Sequence, residues 1–105
     1  MPEQKLGLKL NDLEDDVVVA VDVGSGKLVM VKHGGRIYVL DGKCTHEGGS
    51  LEQGYIDNEE LLCPLHSGAF ALDGGKANEN TPWVTDLHSY RTRVDAPTGE
   101  IYVEV

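Results

Sequence analysis

No apolar run in this 105-residue chain is longer than the five residues 17–21. A membrane-spanning helix needs about 20, so no span is expected. Basic side chains are also scarce: 9 Lys and Arg stand against 18 Asp and Glu, for a net charge of −9. Nucleic acid and anionic membrane both demand a basic face, so neither is an expected partner. The first residues, Met1-Pro2-Glu3-Gln4-Lys5, form no basic stretch leading into an apolar one. Without that secretion signal the expected location is cytoplasmic. In a reducing compartment the 2 cysteines, Cys44 and Cys63, are expected to be ligands or plain thiols rather than a disulfide. Repeats and low-complexity linkers are absent, and no segment keeps a helical period for ten residues.

What is present is glycine, 13 residues, together with 4 prolines. That share favours a turn-rich, all-β chain. The size fits one domain over residues 1–105. A β-branched run at 17–23 and a second run at 27–33 read as strands. Gly34-Gly35 is a two-residue hairpin signal, and 36–40 completes a meander. Further short strands are expected at 55–56, 61–63, 69–72, 90–94 and 101–105, with turns at 57–59, 73–76 and 97–99. Residues 41–77 form a loop-rich insert. Segment 41–80 holds 2 basic and 8 acidic residues, a net of −6, so most of the chain's net charge of −9 lies there.

The same insert holds the residues that carry chemistry. Cys44 and His46 are separated by one residue, Cys63 and His66 by two, and sixteen residues lie between His46 and Cys63. Gly48-Gly49 follows the first pair and Gly68 the second, so the backbone can close around a bound group. Zinc takes two Cys and two His tetrahedrally, but its sites tend to pair like with like. A two-iron cluster with both thiolates on one iron and both imidazoles on the other draws one ligand of each kind from each loop. The mixed pairs suit that arrangement, and zinc stays open as the alternative.

CTHEGGSL (44–51) and CPLHSGAF (63–70) resemble the two cluster-binding boxes of Rieske [2Fe–2S] proteins. The chain is similar in particular to the small ferredoxins that serve aromatic-ring dioxygenases. The resemblance implies a small antiparallel Rieske-like fold with a loop-built cluster-binding subdomain at about 41–77. It implies Cys44, His46, Cys63 and His66 as ligands of a [2Fe–2S] cluster, with the histidines at the surface and on the iron that is reduced. Leu51 and Leu65 would exclude water. The expected function is a monomeric one-electron carrier, not an enzyme, working between a ferredoxin reductase and a terminal oxygenase. The alternatives are the small subunit of a nitrite reductase-like complex and a zinc-stapled binding module.

The chain departs from the Rieske subunit of cytochrome bc₁. The positions of that subgroup's loop disulfide fall on Gly49 and Leu65. Its Ser and Tyr donors fall on Gly68 and roughly on Phe70 or Ala71, with Ser67 displaced by one. Fewer donors to the sulfurs imply a potential near the low end of the Rieske range, roughly −150 mV. His33 and His88 are expected to be solvated, and 14–16 to be a surface loop. Pro82 and Trp83 either cover the cluster or belong to the core. Glu47, Glu52, Glu59 and Glu60 either face solvent or dock a partner.

Overall fold

The computed structural model describes residues 3–23, 26–45, 50–64 and 67–104. Among these lie ten strands: β1 (Glu3–Lys9), β2 (Val18–Val23), β3 (Gly26–His33), β4 (Arg36–Asp41), β5 (Tyr55–Asp57), β6 (Glu60–Leu62), β7 (Ala69–Ala71), β8 (Ser89–Tyr90), β9 (Thr92–Val94) and β10 (Glu100–Glu104). The helical elements among the described residues are single 3-10 turns at Leu10–Asp12 and Leu51–Gln53. All strand pairing is antiparallel. The strands form three sheets, ordered β1-β10-β9, β2-β3-β4-β8 and β5-β6-β7.

The β3–β4 hairpin turns on Gly34 and Gly35, with φ of 59° and 78°. Both lie in the left-handed region that glycine enters without a steric cost. The register of this hairpin, Val29 opposite Leu40 and Met30 opposite Val39, sends alternate side chains to opposite faces. Leu28, Met30, Ile37 and Val39 pack with Ile101 and Val103 of β10. Val29, Val31 and Leu40 pack instead with Leu51, Leu61, Phe70 and both cysteines. The four-stranded sheet is therefore covered on both faces. That accounts for the unbroken apolar run in β3, where one-sided burial would have alternated with polar residues.

Two elements differ from the sequence reading. Strand β1 was not anticipated; Leu6 and Leu8 alternate with exposed residues but are only half-buried, and Gly7, at φ 75°, lies where the register with β10 shifts. The signal was that alternation itself. The strand expected at 90–94 divides: β8 pairs with β4 while β9 pairs with β10. The chain changes sheet at Arg91, a tertiary event that local propensity does not register.

His33 is more than a solvated side chain. Its Nδ1 lies 2.6 Å from Asp16 Oδ1, and its Nε2 lies 3.7 Å from Glu59 Oε1. The 14–16 loop is tied down with it: Asp16 N–H donates to the Lys32 carbonyl. Asp16, Asn58 and Glu59 all have positive φ, so two tight turns present these carboxylates to one imidazole. The Asp16 hydrogen bond, aided by the charges of Asp16 and Glu59, raises the His33 pKa above its ordinary 6.5. A raised folded-state pKa contributes stability that is complete below about 6.5 and fades as pH rises through the raised value. His33→Gln should therefore destabilise the protein more at pH 5.5 than at pH 8.5. Denaturant midpoints of the two proteins at both pH values measure this; an equal difference at the two would sink it.

Candidate metal centre

Two loops carry the expected ligands, and each is closed at its base by main-chain bonds. After β4, Gly42 N–H donates to the Lys27 carbonyl at 3.1 Å, and Leu51 N–H donates to the Gly42 carbonyl at 2.9 Å. A bridge between Lys43 and Ser50 shuts the first loop, and Cys44 is its first residue inside. The second loop extends the β6–β7 hairpin beyond the Leu62–Ala69 pair. Cys63 N–H donates to the Gly68 carbonyl at 2.8 Å, and Ser67 N–H donates to the Cys63 carbonyl at 3.0 Å. Ser67 sits at φ 56°. A left-handed non-glycine residue is uncommon, and here it turns the second loop back toward β7.

Cys44 is 4% exposed and Cys63 1%. Both belong to the apolar cluster that covers the outer face of the central sheet. They are not joined as a disulfide. His46 and His66 lie outside the described residues, as do Glu47, Gly48, Gly49 and Leu65. The structure thus brings together the thiol half of the expected ligand set. Leu51, expected to exclude water, is fully buried beside it.

A third segment, 81–88, crosses against both loops. The Thr45 hydroxyl donates to the Thr85 carbonyl and accepts from the Thr85 N–H, each at 2.9 Å. Val84 and Leu87 are buried in the same apolar cluster as the cysteines. A Cβ on Gly68 would fall 2.6 Å from Val84 Cγ1, so that position needs glycine for lack of room. Trp83 is 43% exposed, which excludes it from the core. Glu60 accepts a bond from the Asn78 amide, and Glu52 lies 3.8 Å from Lys27.

Sequence reasoning missed Asp41. It ends β4, three residues before Cys44. Its N–H donates to the His88 carbonyl, and its Oδ2 accepts from the His88 N–H. Its Oδ1 accepts the Tyr90 hydroxyl at 2.7 Å. This bond, with partial burial and the Asp41 charge, pushes the Tyr90 pKa up to about 12. No sequence signal marks the pair, because the partners are 49 residues apart.

Residues 5–91 match the model of the Rieske [2Fe–2S] domain, and the chain belongs to that family. The ferredoxin component of a naphthalene 1,2-dioxygenase system from Pseudomonas putida is 37% identical over 86 residues, 82% of each chain. The ferredoxin of carbazole 1,9a-dioxygenase from Nocardioides aromaticivorans IC177 superposes with a TM-score of 0.87 at 28% identity, covering 98% of this chain and 97% of that one. A chain in a complex of oxygenase and ferredoxin of carbazole 1,9a-dioxygenase superposes with a TM-score of 0.82 at 29% identity, covering 91% and 96%. The protein is a Rieske ferredoxin of the aromatic-ring dioxygenase type, an electron carrier on a [2Fe–2S] cluster and not an enzyme. The described donors fit that group: two buried thiols at the bases of two closed loops, on one apolar floor.

Removing the Tyr90 hydroxyl tests the Asp41–Tyr90 bond. Tyr90→Phe should cost about 1.5 kcal/mol, the lower range for a hydrogen bond to a charged group. In an ultraviolet titration the tyrosine that ionises at about 12 should disappear. A titration unchanged in the variant would show that Tyr90 is not the shifted group.

Proposed function

We propose that Cys44, His46, Cys63 and His66 hold the cluster, and that residues 41–77 form the unit built to receive it. The cysteines take one iron and the histidines the other. The group supplies one-electron chemistry, and the thiolates favour the iron that stays ferric. The observation that carries this reading is the pair of buried cysteines at matching places in two loops. The chain's part is to fix the ligands, to keep water from the thiolates with Leu51, Phe70 and Val84, and to leave the histidine side toward a partner. Iron and acid-labile sulfide should each assay near two per chain. Cys63→Ser should lose the visible absorption, whereas His33→Gln should keep it. One zinc and no colour in the unaltered protein would overturn the ligand set.

The working cycle we infer passes single electrons from a reductase to a terminal oxygenase in the cytoplasm. The oxygenase–ferredoxin complex of carbazole 1,9a-dioxygenase supports the second partner. The charge of the chain supports electrostatic docking, since 41–80 combines the proposed ligands with 8 of the 18 acids. A basic patch on the partner would be steered to that segment. Such steering is screened over a Debye length of about 10 Å at 0.1 M salt. Electron transfer should slow as salt rises, and Glu47→Lys, next to His46 in sequence, should slow it more than Glu14→Lys. Stopped-flow rates indifferent to salt and equal for both variants would instead mean apolar docking.

A further inference from the structure

We infer that Thr45 is a positioning residue whose hydroxyl clasps the 82–88 segment down across both cysteine loops. The inference rests on the ligand set proposed above. One hydroxyl makes two bonds to the backbone of one residue: it donates to the Thr85 carbonyl and accepts from the Thr85 N–H, both at 2.9 Å. The segment is fixed on either side of Thr85 by main-chain bonds, and Asp41 holds His88 at its far end. Val84 N–H donates to the Thr81 carbonyl, and Leu87 N–H donates to the Gly75 carbonyl. The Asp86 carboxylate is turned toward the Ala77 N–H. Among the described residues, Thr45 is the point at which Thr85 is bonded to a cysteine loop.

On its inner side the segment buries Val84 and Leu87 in the cluster that holds both cysteines, and Val84 closes on Gly68. One clasp to the first loop and one apolar contact to the second therefore hold a single cover over both. The chemistry of the clasp is specific. A valine has the shape of threonine but neither donates nor accepts, whereas a serine does both. Thr45 and Thr85 are both exposed, so water competes for these bonds. A clasp of little consequence would leave the cover held by Val84 and Leu87 and by the Asp41–His88 bonds at its far end.

Hydrogen exchange of the protein as purified distinguishes the two cases. Thr45→Val should speed exchange in a peptide spanning 81–88 about tenfold, as expected for losing two exposed bonds, and leave β3 unchanged. Thr45→Ser should restore the slow rate. A loosened cover lets water approach a site that gains one negative charge on reduction, so the midpoint potential of Thr45→Val should move positive and that of Thr45→Ser should not. Gly68→Ala, which forces Val84 away, should loosen 81–88 from the other side. Exchange within twofold of the unaltered protein, or equal behaviour of the valine and serine variants, overturns the clasp. Absence of iron from the unaltered chain would instead overturn the ligand set, while the exchange comparison would still decide the clasp.

Discussion

Both cysteines stand on one apolar floor, the outer face of the four-stranded sheet, and the rest of the molecule is arranged to make that floor rigid. Metal ligands tolerate little positional error, so the loops proposed to bear them need support beyond their own sequence. Residues 41–77 are rich in glycine and acidic side chains, and their buried apolar residues, Leu51, Leu61, Phe70 and Leu72 among them, are ordered against the sheet. Val29, Val31 and Leu40 supply the floor from below, and Leu51, Leu61 and Phe70 fill the space between the loops. Main-chain bonds then close each loop where its cysteine begins.

A floor of this kind must itself be braced. Leu28, Met30, Ile37 and Val39 face the other way and are covered by Ile101 and Val103. Double coverage removes both faces of the sheet from water, with each fully buried Val, Leu or Met contributing about 1.5–3 kcal/mol. The segment after Trp83 joins the two sides. It covers the cysteine loops with Val84 and Leu87, pairs with β4 through β8, and passes at Arg91 into the sheet that backs the other face. Asp41 fastens this path to the start of the first loop through His88 and Tyr90. The cluster side and the core side are thus successive parts of one stretch of chain.

Much of this could be read from residue order. The Gly34-Gly35 hairpin, the short pairs around Asn58 and the two boxes are local patterns, set by backbone preference and by ligand spacing over a few residues. What could not be read depends on partners far apart in sequence. His33 looked solvated because neither Asp16 nor Glu59 is its neighbour along the chain. Trp83 stayed open between covering the cluster and joining the core because its exposure depends on how 81–88 crosses the loops. Strand β1 was missed because its pairing with β10, not the propensity around Gly7, makes it a strand.

The all-β class, the acidic character and the Cys-x-His and Cys-x-x-His boxes are legible in residue order, since composition, turn residues and ligand spacing are properties of short segments. It took the folded chain to place both thiols on one buried floor, to divide the strand after His88 between two sheets, and to bring Thr45 and Asp41 against the covering segment. The Thr45 and Asp41 contacts join residues 40 to 49 positions apart. Such contacts form only when the apolar faces of separate elements find one another, and local sequence carries no record of that choice.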